Sequence, residues 1–160
     1  MYNKPLVPDD FAVPLRLETD RMVLRPLTVH DAVRDYEAVM SSETRLKTVF
    51  RESGDWPTGL TLDTNIAELG WHQTEFELRT SFAYTVVSHA EDRVLGCVYF
   101  YPTSHPDHDV EITLWVRQSE ADSGLDEHLY TTVRQWVKKT WPFTHEAYPG
   151  RSIAWSDWPA

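Results

Sequence analysis

The sequence predicts an α/β (α+β) domain in which a mixed, mostly antiparallel sheet is flanked by helices. Three observations carry that expectation. Three β-rich segments follow in quick succession, SFAYTVVS (81–88), RVLGCVYFYP (93–102) and DVEITLWVR (109–117), with links short enough to imply an antiparallel meander. Segments of helical period lie on both sides, at 61–79 and 124–140. The third strand runs through a short acidic loop, SEADSG, straight into the second of those helices.

Residues 1–15 are Pro-rich and irregular and read as an N-terminal arm of one domain spanning 1–160. In RMVLRPL (21–27), Met22 and Leu24 alternate with arginines as in a strand, and Pro26 puts it at an edge or near its end. Thr28 and Asp31 have the spacing of a capping box, with Asp in place of Glu, and Val33, Tyr36, Ala38, Val39 and Met40 continue as a helix. Residues 41–59 carry Ser, Gly and Pro and read as a loop with room for a short helical turn.

The helix at 61–79 is expected to bury Leu62, Ile66, Leu69 and Phe76. In the last meander strand Val110, Ile112, Leu114 and Val116 share one face, and Glu111, Thr113 and Trp115 the other. The 124–140 helix is expected to bury Leu125, Leu129, Val133, Trp136 and Val137, with Lys138 and Lys139 at the end where its dipole favours cations. Pro142 stops it, and the tail GRSIAWSDWPA has room for one more strand.

With 160 residues, 41% of them hydrophobic, the chain can build one full core. A net charge of -10 disfavours nucleic acid and anionic membrane surfaces, which need concentrated Lys and Arg. The single Cys97 excludes an intrachain disulfide and a multi-cysteine metal site. No leader-like segment opens the chain and no apolar run reaches ~18 residues, so a soluble cytoplasmic protein is expected.

Local chemistry offers several candidates, each with a plainer structural reading. His72, Glu75, Phe76 and Arg79 share a helix face, as a substrate-recognition set or as a surface Glu75–Arg79 pair. His105, Asp107, His108 and Asp109 crowd a turn, without the second ligand group that a metal site needs, and no metal is assigned. Cys97 lacks a legible base and reads as buried. In the acidic loop, Asp122 or Ser123 can cap the following helix.

The order strand, helix, helix, three meander strands, helix, strand resembles the GNAT N-acetyltransferase fold. LETDRMVLRPLTVHDA is similar to the opening strand and helix of its ribosomal-protein acetyltransferase branch, VLGCVYFYP to its third strand, and DVEITLWVRQSE to its "E-I-G-Y-W-V" fourth strand. The likeness covers roughly residues 17–141. It implies acyl transfer from acetyl-CoA or a related acyl-CoA to a small-molecule or peptide amine. Glu111 matches the family's frequent base position. The backbone of Leu114, Trp115, Val116 and Arg117 would hold pantetheine, and the Ser123, Gly124, Leu125 turn the pyrophosphate. His72, Glu75 and Arg79 would border the acceptor groove.

Two departures stand out. The family's glycine-rich phosphate loop keeps only Gly124 here, among Glu120, Asp122, Asp126 and Glu127, whose charges oppose tight CoA binding. The chain also stops near its fifth strand, short of the helix that often supplies a Tyr acid; Tyr148 is a stand-in without a spacing argument. The alternatives are a GNAT-fold binding module without catalysis, and a homodimer that completes the site, which Trp155 and Trp158, expected to be exposed, would suit.

Overall fold

A computed structural model describes residues 2–51 and 54–159. Among these, six strands form one sheet in chain order: β1 (Leu17–Glu18), β2 (Val23–Pro26), β3 (Phe82–Val87), β4 (Val94–Tyr101), β5 (Val110–Val116) and β6 (Glu146–Ala147). All neighbours are antiparallel except β5 and β6, which run parallel. The helices are α1 (Ala32–Met40), α2 (Glu43–Val49), α3 (Leu62–Glu77) and α4 (Leu125–Thr140).

The period-2 alternation of β5 sorts its side chains between two cores. Val110, Ile112, Leu114 and Val116 pack with Leu125, Leu129, Val133 and Val137 of α4. Trp115 enters the opposite core with Cys97 of β4, Ala38 and Val39 of α1, Leu46 of α2 and Leu69 of α3. Both faces of the sheet are thus covered, and Glu111 is the one β5 residue that is not buried. Gly96 lets β4 lie against β5, because a Cβ there would stand 2.0 Å from the Trp115 carbonyl oxygen.

Thr28 and Asp31 form the capping box. Asp31 also binds Arg25 through both oxygens, at 2.8 and 3.0 Å.

Four expectations are corrected. Residues 43–49 form a two-turn helix, too short to display a period, around the fully buried Leu46. On α3 the inward face carries Asn65 and Leu69, while Ile66 is 42% exposed and Leu62 only half-buried. A polar residue takes the buried place because it has partners: the Asn65 amide donates to the Ala32 carbonyl (3.2 Å) and the Asp35 carboxylate (3.0 Å).

The last strand, Glu146–Ala147, precedes the tail, and residues 150–159 hold no strand. Arg51 donates instead to the carbonyls of Trp155, Trp158 and Pro159, holding that stretch as a strap of turns. Trp158, expected to be exposed, is buried: its ring stacks on His105 at 5.1 Å and tilts against His108. Those two histidines, read from sequence as polar turn residues, serve as packing surface.

Candidate functional site

β5 and β6 pair over two residues only, Val110 with Glu146 and Glu111 with Ala147, and then part. From Ile112 onward that edge of β5 has no strand neighbour among the described residues. Its carbonyls must find donors elsewhere. Arg151 donates to the Leu114 carbonyl (3.2 Å) and Arg45 to that of Val116 (3.0 Å). Both guanidinium groups also bind Asp126, in the first turn of α4: Arg151 at 2.8 and 2.9 Å, Arg45 at 3.2 Å.

This cluster changes the electrostatics expected from the sequence. Asp126 is no bare charge facing the wedge; it sits between two arginines, and the trio carries a net positive charge. Burial would raise Asp126, but the hydrogen bonds and charges of Arg151 and Arg45 hold it below the usual carboxylate range. Arg21 adds a third cation nearby, donating to the Ser123 carbonyl at 3.0 Å. Gly124 takes the N-cap of α4 with φ of 80°, and the Ser123 hydroxyl accepts from the Leu125 N–H at 3.2 Å. Asp122 and Glu127 are the acids of this turn without a cationic partner among the described residues.

An acyl-CoA fits the chemistry of this wedge. Open strand carbonyls that already accept guanidinium N–H bonds can accept amide N–H bonds, and three arginines beside a helix start suit phosphate oxygens. The fit requires Arg45 and Arg151 to give up the two carbonyls.

Glu111 stands where β5 and β6 are still paired, opposite Tyr101 of β4. Its carboxylate accepts from Trp158 Nε1 at 2.9 Å. Burial raises it above the ordinary glutamate range, while the Trp158 hydrogen bond and the charge of Arg51 pull it down.

On the same sheet face lies a cavity of about 200 Å³. Tyr99 and Tyr101 of β4 line it, their rings stacked 5.6 Å apart and nearly parallel, with His72 5.4 Å from Tyr99. Phe50 and Trp56 line it as a second aromatic pair, 5.6 Å apart and edge to face. Asp35, Asn65 and Glu68 supply the polar lining.

His72 is the only residue of the expected groove set at this cavity. Burial holds its imidazole below the usual range, which favours the neutral ring, and its Nδ1 is buried with no hydrogen-bond partner among the described residues. Glu75 is buried and structural: it accepts from the Ser81 hydroxyl (2.6 Å) and the Tyr2 N–H (3.0 Å). Arg79 lies past the end of α3, at φ of 62°, and pins the N-terminal arm through the Pro8 and Phe11 carbonyls, both at 2.7 Å. The surface Glu75–Arg79 pair does not form.

The Arg117 side chain is sequestered by Glu37 at 2.6 and 2.8 Å, and its N–H is used by Leu95. Trp115 gives its indole N–H to Tyr99 at 3.1 Å. Tyr148 packs in the α4-side core, on the face away from Glu111.

Sequence reasoning missed Asp35, Glu68, Arg45 and Arg151. Asp35 is 3% exposed and has no cationic partner among the described residues; Asn65 and the Cys97 thiol (3.6 Å) are its hydrogen-bond donors. Burial, with smaller pushes from Asp31 and Glu68, raises it to about 6 against these bonds, from 3.8 for an unburied Asp. Between pH 3.8 and about 6 the folded state therefore keeps a proton here that the unfolded chain has released. The cost to stability is absent below pH 3.8, builds as pH rises toward 6, and stays at ~3 kcal/mol above that, at about 1.4 kcal/mol per pH unit of the gap.

Asp35→Asn is therefore expected to raise the melting temperature at pH 7 by several degrees and to change it little near pH ~4. Thermal melts at the two pH values check this; an Asn variant that melts lower at pH 7 contradicts it.

No protein-family model matches the chain, and no curated protein matches it by sequence. Solved structures do match by fold. The ribosomal-protein-S5-alanine acetyltransferase from Vibrio fischeri superposes with a TM-score of 0.63 at 16% identity, over 79% of this chain and 68% of that one. RimL, a ribosomal L7/L12 alpha-N-protein acetyltransferase solved with coenzyme A, gives 0.60 at 13% identity, over 79% and 68%. The microcin C7 self-immunity acetyltransferase MccE, solved with acetyl-CoA and AMP, gives 0.59 at 12% identity, over the same shares.

The chain thus has the GNAT acetyltransferase fold, in the form seen in ribosomal-protein acetyltransferases. No helix among the described residues is long and apolar enough to cross a membrane.

Proposed function

We propose that the chain is an N-acyltransferase that moves an acetyl or related acyl group from acyl-CoA to an amine. The observation that carries this is the parting of β5 and β6 just beyond Glu111, on the sheet face that also holds the Tyr99–Tyr101 cavity, which would take the acceptor. Acyl-CoA would supply the activated thioester when bound. The Leu114 and Val116 carbonyls would hold its pantetheine, and Arg21, Arg45 and Arg151 its phosphates. Asp126 orients two of those arginines and cancels one of their charges.

Glu111 would act as general base. One carboxylate oxygen accepts from Trp158, which leaves the other for the amine proton, directly or through water. The raised affinity of this carboxyl for protons favours that role. The test is thiol release from acetyl-CoA against a panel of polyamines, amino acids, aminoglycosides and peptide N-termini, where turnover above buffer supports the reading.

One observation favours a binding module instead: both carbonyls that would hold pantetheine are already taken. If the arginines do not yield, the cavity remains and the acyl donor does not enter.

A further inference from the structure

A buried carboxylate is normally paired with a cation or neutralised. The cavity beside β4 departs from this twice. Asp35 is almost wholly buried and Glu68 partly so, and neither meets a cation among the described residues. Trp56, Tyr99 and Tyr101 line the same cavity, and aromatic rings attract cations through their quadrupoles. A bound cation would supply the counter-charge that both carboxylates lack.

Its class follows from the walls. Rings and carboxylates suit a positive head with an aliphatic surface. The Asn65 amide is already committed to Ala32 and Asp35, which leaves the His72 Nδ1 and the Tyr99 and Tyr101 hydroxyls as neutral polar groups of the lining. So small a set suits a small cation better than a peptide N-terminus, whose several amides each need a partner.

We infer that this cavity is a binding box for a small aliphatic alkylammonium group, with Asp35 and Glu68 as counter-charges and Trp56, Tyr99 and Tyr101 as cation-facing walls. The inference rests on the proposed function, takes this cavity as the pocket of its acceptor, and narrows that acceptor to a small organic cation.

The test is calorimetric titration of the full chain, without any acyl donor. The probes are choline and butylammonium, each against a neutral isostere, 3,3-dimethyl-1-butanol and 1-butanol. At least one cation is expected to saturate, with its isostere ~10-fold weaker or more. Asp35→Asn should lose ~10-fold or more in cation affinity while melting higher than wild type, a combination that a purely structural role would not give. Glu68→Gln should weaken the cation in the same sense and carries the test if Asp35→Asn does not fold.

No saturation by either cation up to about 10 mM, or isosteres that bind equally well, would overturn the box. An alanyl dipeptide amide that binds as tightly as butylammonium would overturn the restriction to small cations. Choline's quaternary nitrogen cannot be acylated and no CoA is present, so a failed transferase leaves this result untouched, and a failed box leaves transferase turnover free to appear.

Discussion

Ile112→Asp is expected to abolish the cooperative melt. Ile112 is fully buried on the β5 face that packs with α4. The substitution removes a large side chain from that core and puts a charge there. Asp35 shows what a buried carboxylate needs even to be tolerated: an amide and a thiol aimed at it. The surroundings of Ile112 are Val, Leu and aromatic side chains, which offer neither. Loss of burial and an unpaired charge together should exceed ~5 kcal/mol, comparable with the whole stability of a domain this size. Circular dichroism against temperature checks this. A sharp melt near that of wild type would mean that β5 does not lie under α4.

Glu111→Gln is expected to reduce acyl transfer by ~10² to 10⁴ while the melting temperature barely moves. The amide oxygen can still accept from Trp158 Nε1, so the local geometry has no reason to change. What disappears is an oxygen able to take a proton from the attacking amine. CoA affinity should hold, because Glu111 lies where β5 and β6 are still paired, before the open edge begins. The measurement is thiol release per enzyme with any acceptor that wild type uses. Turnover that survives in the variant would keep the enzyme and remove Glu111 from its chemistry.

Much of the fold was legible in the sequence, and for definite reasons. Period-2 alternation in residues 110–116 placed every β5 side chain on its correct face, because both faces are packed and a slip of one residue would exchange them. The stripe of α4 was equally clear: Leu125, Leu129, Val133, Trp136 and Val137 are all buried. On α3 the same reasoning failed. Ile66 matched the pattern, yet Asn65 holds the inward position, and nothing local announces that its partners lie on α1, thirty and more residues away.

The candidate site was less legible because charge in a sequence carries no partners. Asp126 looked like one of several acids opposing a diphosphate. Arg45 and Arg151, 81 and 25 residues from it along the chain, convert it into the bridge of a cationic cluster. Asp35 sits in AVRDYEAVM as an ordinary polar helix residue, and only the approach of α3 and β4 buries it. Arg79 and Glu75 had helical spacing for a shared surface, but α3 ends at Glu77, so the spacing did not apply to Arg79.

The proposed function requires the wedge between β5 and β6 to take an acyl-CoA although two arginines now hold its carbonyls. Calorimetric titration of wild type with CoA at low and high salt measures this. Saturable one-to-one binding is expected in the ~10–100 µM range, limited by the exchange of Arg45 and Arg151 and by the charges of Asp122 and Glu127. Binding should weaken as salt rises, because arginine–phosphate attraction carries it. Absence of any saturable heat at millimolar CoA would rule out the acyl donor and leave a GNAT fold whose cavity serves binding alone.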